Sequence, residues 1–407
     1  MAKKMLFLFV LLLSLTGMLK AQVTTAGMSG KVTADEESVI GATVVAVHEP
    51  SGTSYGTVTN VDGRFSLQGM RSGGPYKVTV SYIGYQTAIY TGIQLQLGET
   101  YSLNVTLHEA SELLGEITIT ASRSKFSAEK TGATTNISSE QLTTLPSINR
   151  SISDFTRISP YASGNSFGGR DGRSNTFTVD GANLNNNFGL SSGLPGGGNP
   201  ISLDAIDEVQ VVIAPYDVRQ ANFIGAGINA ITKSGTNAYR GSAYMYFNNE
   251  VMRGNKIGDT DFGVRAEESK TVYGATFGGP IIKDKLFFFA NVEYEKSPQQ
   301  VITWRAAKEG ETPNNSTISR TTEADLAEFS QILKDKYGYN TGSFTDFPAD
   351  VTNLKLLGRI DWNINQGNKL SVRYNFTNNK TWDAPNGSSG NTGYRLAYNR
   401  VSAYSMS

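Results

Sequence analysis

The sequence contains no cysteine and only two histidines, His48 and His108. The first absence excludes disulfides and thiol chemistry. The second leaves little material for a metal centre or a His-based nucleophilic triad. No catalytic residues, metal or cofactor are expected, and the chain does not read as an enzyme. An excess of either charge is also missing, since 36 Lys and Arg balance 36 Asp and Glu. That balance argues against nonspecific nucleic-acid binding, which needs a basic surface. No apolar run reaches the ~20 residues of a membrane-spanning helix. What is plentiful is glycine (43), tyrosine (19) and phenylalanine (19) in 407 residues. Many glycines with many aromatics suit an all-β chain with numerous turns and interfacial rings.

The amino terminus, MAKKMLFLFVLLLSLTGMLKA, has a short basic region at Lys3 and Lys4, an apolar run from Met5 to Leu15 and a small residue at Ala21. This is the pattern of a secretory signal peptide over residues 1–21, too short in its apolar core for a transmembrane anchor. The mature chain is therefore expected outside the cytoplasm.

From residue 27 to 109 the sequence is a series of short alternating runs divided by turn signals such as NVDG and RSGGP. In YKVTVSY, Tyr76, Val78, Val80 and Tyr82 share one parity, and Lys77, Thr79 and Ser81 the other. The density of such runs predicts a small β-sandwich. Asp62 and Gly63 fit a tight turn better than a calcium loop, because no dense set of oxygen ligands comes after them. The words G-x-V (Gly30–Val32), GATV (Gly41–Val44), TNVDGRF (Thr59–Phe65) and SYIGY (Ser81–Tyr85) resemble the carboxypeptidase-regulatory-like domain, a non-catalytic module.

Residues 110–123 form a brief extended stretch. It can be a linker, the first strand of the next domain, or an edge strand available to another chain's sheet. Over 124–236 the texture changes. SSEQLTTLP and SISDFTRISP predict short helices, the first capped by Ser138 or Ser139, with Ile148, Ile152, Phe155 and Ile158 as a helical stripe. NTFTVDG, IDEVQVVIA and GAGINAITKSG predict strands, so this is a small α/β domain. GAGINAITKSGT is no phosphate loop, because it lacks the G-K-[ST] ending.

Over 237–407 the runs lengthen and alternate strictly. Leu354, Leu356, Ile360, Trp362 and Ile364 fall on one parity; Lys355, Leu357, Arg359, Asp361 and Asn363 fall on the other. After a short polar break, Leu370, Val372, Tyr374 and Phe376 alternate with Lys369, Ser371, Arg373, Asn375 and Thr377. Alternation alone does not separate a soluble sandwich from a membrane barrel. The connections do: they run long, short, long, short, long. Short turns on one side and long loops on the other mark an outer-membrane barrel, with one strand face on lipid and the other on a polar lumen. The longest loop carries a helix candidate, TTEADLAEFSQILKDKYG. The expected fold is thus mainly β: an N-terminal β-sandwich, a small α/β plug domain and an incomplete antiparallel transmembrane β-barrel.

In this order, FGGRDGRSNTFTVDGANLN (167–185), APYDVRQANFIGAGINAITKSGTNAYRGSAY (214–244) and YGATFGGPIIKDKLFFFANVEYEK (273–296) resemble TonB-dependent outer-membrane receptors, in particular the Oar-like group. The resemblance implies a plug inside a barrel of about 22 strands. It implies that Glu116, Ile117, Thr118, Ile119, Thr120 and Ala121 stand at the place of the TonB box, which pairs with the periplasmic C-terminal domain of TonB. It further implies import of an extracellular substrate, not named by the sequence, across the outer membrane. The sandwich and the start of the plug would lie on the periplasmic side. Within the plug, Arg170, Arg173, Asp180 and Lys233 are candidates for contact with wall charges such as Glu293, Arg359 or Asp361; ordinary turn chemistry is the other reading of each. Too few strands are present to close around a plug, so an N-terminal part of a longer receptor, not transport-competent alone, is expected. The alternatives are a starch-utilisation-type glycan importer of the same architecture and a surface adhesin whose sandwich is the active part.

Overall fold

The computed structural model describes residues 23–109, 117–120, 133–147, 150–185, 200–215, 217, 220–221, 223–254, 256–261, 269–298, 305–313, 318–342, 350–365, 367–383 and 395–406. The expected signal peptide, Glu116 and Ala121 lie outside these residues.

Two sheets share the first core. One centres on β1 (Ala26–Ala34), which pairs with β2 (Glu37–Ser38), β5 (Arg64–Met70) and, in parallel, β8 (Thr100–Ser102) and β9 (Val105–Leu107). The other is formed by β3 (Thr43–His48), β4 (Thr53–Val58), β6 (Gly73–Ser81), β7 (Ala88–Leu95) and β10 (Ile117–Thr120), in the order β10-β7-β6-β3-β4. Alternation explains the packing, because a period of two sends every second side chain inward. Met28, Val32 and Phe65 from one sheet meet Val44, Tyr76, Val78 and Ile93 from the other in a single buried cluster. Asp62–Gly63 is a turn: Asn60 Oδ1 accepts from the Asp62 and Arg64 amides, and Gly63 has φ +71°.

The middle domain's sheet is formed by β11 (Ala133–Ser138), β14 (Thr176–Val179), β15 (Ala182–Asn183), β16 (Ile206–Ala214) and β17 (Gly227–Thr232), in the order β11-β16-β17-β14-β15. The minor pair β12 (Ala162–Ser163) and β13 (Ser166–Phe167) is separate from it. Two short helices, Ser139–Thr144 and Ile152–Thr156, form where expected, with Ser138 and Ser151 as N-caps. Of the expected stripe, Ile152 and Phe155 are buried but Ile158 is exposed, because the helix ends at Thr156 and Ile158 sits in the turn after it. Ile148 lies outside the described residues.

The wall is a six-stranded antiparallel meander, open at both edges among the described residues. It comprises β18 (Arg240–Asn249), β21 (Ser269–Ile282), β22 (Leu286–Pro298), β25 (Asp350–Asn363), β26 (Lys369–Asp383) and β27 (Arg395–Met406). Two small ribbons, β19 (Lys256–Ile257) with β20 (Thr260–Asp261) and β23 (Arg305–Ala307) with β24 (Ile318–Thr322), lie in its long connections. The helix Glu323–Tyr337 comes directly after β24, capped by Thr322.

This sheet is built inside out. Ile360 is 48% exposed and Trp362 45%, whereas Lys355 is 1% and Asp361 2% exposed. Val292, Tyr294, Val372 and Tyr374 face outward as well, while Asn291, Glu293, Arg373, Asn375 and Thr377 are buried. A water-soluble sheet reverses that preference, since apolar burial stabilises and an unpaired buried charge costs several kcal/mol. The arrangement suits hydrocarbon outside and a polar interior. Strands of 10 to 15 residues are sufficient for a tilted crossing, which takes ~9–11.

The three parts touch. The buried face of the wall meets the middle domain, and Phe289 and Leu357 join the middle domain's apolar cluster. The first domain meets the middle sheet through Glu208, whose two carboxylate oxygens both lie 3.1 Å from the Leu97 amide that donates to them. Asn136 Nδ2 also donates to the Leu97 carbonyl, at 3.2 Å.

This packing makes two outcomes measurable. Leu356→Arg puts a charge on the outward face near mid-strand and should destabilise the membrane-inserted wall by about 2–4 kcal/mol. Leu356→Met should change it by less than about 1.5 kcal/mol. Equilibrium folding into lipid vesicles measures both. The second outcome concerns Glu208. Burial pushes its carboxyl up from 4.5 to about 7, against the opposing Leu97 amide. Between those values the folded form binds more protons than the unfolded one, so stability should fall as pH rises through that window and level off above it. Glu208→Gln keeps an acceptor for Leu97 and cannot ionise. It should reduce the fall, leaving the part due to neighbouring Asp207, whose carboxyl burial also pushes up, and be more stable at pH 8 by up to about 3 kcal/mol, read from thermal melts in detergent across pH.

Candidate functional site: the seams between wall, middle domain and first domain

The chemistry of this chain is concentrated where its three parts meet. Asp180 ends β14 at a tight turn with φ +47° and is buried. Its carboxylate accepts from the Thr232 amide at 3.0 Å and from Thr232 Oγ1 at 2.6 Å, which fixes it to the end of the neighbouring central strand β17. So held, Asp180 Oδ1 stands 3.9 Å from Arg359 Nη1 and 3.5 Å from Arg373 Nε, both on the buried face of the wall. Arg359 in turn donates through Nε to Asp361 at 2.7 Å and through Nη1 to the Thr232 carbonyl. Alternation on β25 puts Arg359 and Asp361 on the same face, two residues apart. Ser371 Oγ on β26 adds a 2.6 Å hydrogen bond to Asp361.

A second seam lies along the same strands. Glu293 on β22 and Lys355 on β25 are cross-strand neighbours and form a 2.7 Å ion pair, almost wholly buried. Ser202 of the middle domain donates to Glu293 Oε2 at 2.7 Å, and Tyr244 of the wall donates to the same oxygen at 2.9 Å. The Pro200 carbonyl accepts from Thr377 Oγ1 at 2.6 Å and from Asn375 Nδ2 at 3.3 Å. Arg150 pairs with Asp204 and stacks 3.6 Å above the Tyr246 ring of the wall. The chain leaves the middle domain through Gly235, where a Cβ would come within 2.5 Å of the Phe288 carbonyl oxygen and 2.7 Å of that of Gly279. Only glycine allows that approach.

The structure brings Asp180 to the wall charges. Lys233 is half-buried and lines the cavity beside Asp180 and Arg359, with its amide bonded to the Ala205 carbonyl at 2.8 Å. Arg170 and Arg173 stand elsewhere, on an exposed turn, where Arg173 Nε donates to Asp171 at 2.9 Å. Of the TonB-box-like residues, Ile117–Thr120 form β10, paired in parallel with β7 at the edge of the first domain's sheet. Sequence reasoning missed Arg373, Lys355 and Ser202. The first two were discoverable from their parity on β26 and β25; nothing local distinguishes Ser202.

The third seam joins the first domain to both other parts. Arg71 comes just after β5, and its backbone is held by Tyr55 and Tyr76: the Arg71 amide donates to Tyr55 Oη at 3.2 Å, and Tyr76 Oη donates to the Arg71 carbonyl at 2.8 Å. The guanidinium reaches Asp361 of the wall at 3.3 Å and donates to Ser234 Oγ of the middle domain's exit at 2.9 Å. His48 beside it is kept neutral, its pKa lowered to about 3 by burial and secondarily by the Arg71 charge. It contacts Ser51 Oγ at 2.7 Å. A cavity of about 850 Å³ lies between the three parts, bordered by Arg71, Asp180, Lys233, Arg240, Arg359 and Arg373 among others.

Residues 27–108 match the family described as carboxypeptidase regulatory-like domain, and residues 231–405 match the family described as outer membrane beta barrel domain. The TonB-dependent transporter Oar of Myxococcus xanthus is 25% identical over 344 residues, covering 80% of this chain and 30% of that protein. The chain thus spans about 30% of the length of the curated relative it matches. Solved structures that overlay in part include the ferric enterobactin receptor mutant (Q482A) of Pseudomonas aeruginosa in complex with enterobactin, at 15% identity, 69% of this chain, 41% of that one and TM-score 0.43. The siderophore receptor PirA of Acinetobacter baumannii overlays at 19% identity, 65% and 36% coverage and TM-score 0.39. The outer membrane transporter YddB of Escherichia coli overlays at 14% identity, 67% and 36% coverage and TM-score 0.43. The chain joins a carboxypeptidase regulatory-like domain to an outer-membrane β-barrel domain and is homologous to the TonB-dependent transporter Oar.

Proposed function

We propose that this chain supplies the regulatory-like domain, energy-coupling strand, plug and first wall strands of a TonB-dependent outer-membrane receptor that imports an extracellular substrate. The observation that carries the reading is the inside-out wall. Its apolar face is exposed, and its charged face is spent on the middle domain through Asp180, Ser202 and the Pro200 carbonyl. Similarity to Oar supports it. In this reading the middle domain is the plug, the short turns at 283–285 and 364–368 face the periplasm, and the long connections face outward. The strand β10 is the end strand of its sheet, with one edge unpaired among the described residues. A strand of TonB's periplasmic C-terminal domain adds to that edge, as extended segments do at open sheet edges. Force delivered there breaks the polar seams that Asp180 and Lys233 border and lets the plug move. Arg170 and Arg173 have no part in that release.

Removing residues 114–121 from the full-length protein tests the reading. Accumulation of whichever radiolabelled nutrient the gene-deletion strain fails to take up should be lost, with surface binding of that nutrient retained. Unchanged accumulation would favour an adhesin. A second expectation concerns the plug seat. Glu293→Ala leaves Lys355 buried without its close partner and should destabilise the folded protein by about 3–5 kcal/mol. Replacing both residues by leucine should cost much less. Denaturant titration in detergent compares the two.

A further inference from the structure

Among the described residues, the first domain's polar contacts with the wall gather at one end of it, at a short turn or a strand end beside one, and next to them it meets the plug's exit. The Asn237 amide donates to the Pro50 carbonyl at 2.8 Å. Asn363 Nδ2, at the end of β25, donates to Thr53 Oγ1 at 2.9 Å and to the Asp284 carbonyl at 3.0 Å. Asn237 closes the set with a 2.7 Å bond from Nδ2 to Asp284 Oδ1. Lys369, the first residue of β26, lies 3.2 Å above the Tyr55 ring. Arg71 extends past these contacts to Asp361 and Ser234, so one side chain spans wall and plug. Asp361 is the partner of Arg359, and Arg359 faces Asp180. The chain of charges therefore runs from first domain to wall to plug without a break.

The same domain also holds β10. Of the segment proposed to receive TonB, the described residues pair with β7, Ile117 opposite Ala88 through Thr120 opposite Thr91. A pull on β10 therefore acts on its pairing with β7.

We propose that the regulatory-like domain is a latch. Docked, it closes the cavity on the side of the short turns and pins the plug's exit to the wall through Arg71. A pull on β10 detaches it first, and only then does the plug yield. The proposal rests on the transporter reading for its source of force, but the docking itself does not.

These 407 residues contain no cysteine, so the introduced pair reports alone once any cysteine elsewhere in the full-length protein is replaced by serine. A Cβ built on Gly52 lies 2.9 Å from the Asp284 carboxyl carbon. That is close enough for a disulfide between Gly52→Cys and Asp284→Cys after a small turn adjustment. A second pair, Thr53→Cys with Asn363→Cys, covers the case in which the φ of +62° at Gly52 impairs folding. Both are made in the full-length protein, and cross-linking under mild oxidant is monitored on non-reducing gels in whole cells. The latch predicts rapid cross-linking in resting cells, slowed several-fold by Arg71→Glu. It predicts slower cross-linking with the inner membrane energised than after a protonophore or in a strain lacking TonB. Absence of cross-linking in both pairs overturns the latch and leaves the transporter reading standing. Equal rates in energised, de-energised and TonB-lacking cells also overturn it, provided deletion of 114–121 still abolishes uptake. If that deletion leaves uptake intact, the transporter reading fails, and with it the role of force in the latch.

Discussion

A buried charge must find a partner, and the structure depends on how this chain meets that demand. Three wall strands, β22, β25 and β26, carry Glu293, Lys355, Arg359, Asp361 and Arg373 on one face and mostly apolar and aromatic groups on the other. In hydrocarbon the second face is content, but the first is tolerable only against water or polar protein. The middle domain supplies that protein. Asp180, Ser202, the Thr232 hydroxyl and two backbone carbonyls, at Pro200 and Thr232, meet the wall's charges and amides within hydrogen-bonding or ion-pair distance. Wall and middle domain are thus complementary by charge, and each is poorly explained without the other.

This also accounts for the strain and close contacts at the seams. Asp180 and Arg150 adopt positive φ and both are turned toward the wall. Positive φ is uncommon for residues with side chains. Gly235 passes against wall backbone where no side chain fits. Such local costs persist where surrounding contacts over-determine the geometry. Here the surrounding contacts are the ion pairs themselves.

How much of this was legible depended on range. A period of two fixes which residues share a face, so the wall's two faces could be written from residues 354–377 alone, and the short and long connections distinguished lipid from a dry core. The grouping of Asp180 with Arg359 was within reach as one option among several, since Asp180 comes after a buried strand and Arg359 sits on the polar parity. Arg170 and Arg173 share its sequence neighbourhood but not its environment: their turn is satisfied locally by Asp171 and needs no wall. Arg71 was not legible at all. In sequence it is a residue of a turn word, RSGGP, and its partners lie 163 and 290 positions away. Likewise, parity allowed Ile117–Thr120 to be a strand but could not say which sheet it joins.

The chemical character of the seams bears on whether they can open. Apolar interlock resists separation in proportion to area, at about 25 cal/mol per Å². Among the described residues, the wall contributes Phe289 and Leu357 alone to the middle domain's apolar cluster. Most of the other contacts named across the seam are hydrogen bonds or ion pairs, and water can replace each as it breaks, so the net cost per bond is about 0.5–1.5 kcal/mol for neutral partners and about 1.5–3 kcal/mol where a charge takes part. A cavity of about 850 Å³ already borders Asp180, Arg359 and Arg373, which gives water a place from which to enter. The interface is therefore specific in register yet shallow in apolar area. In the plug role proposed for it, the middle domain needs both properties to sit in one position and still be pulled from it, and an apolar seam of equal extent would supply the first while denying the second.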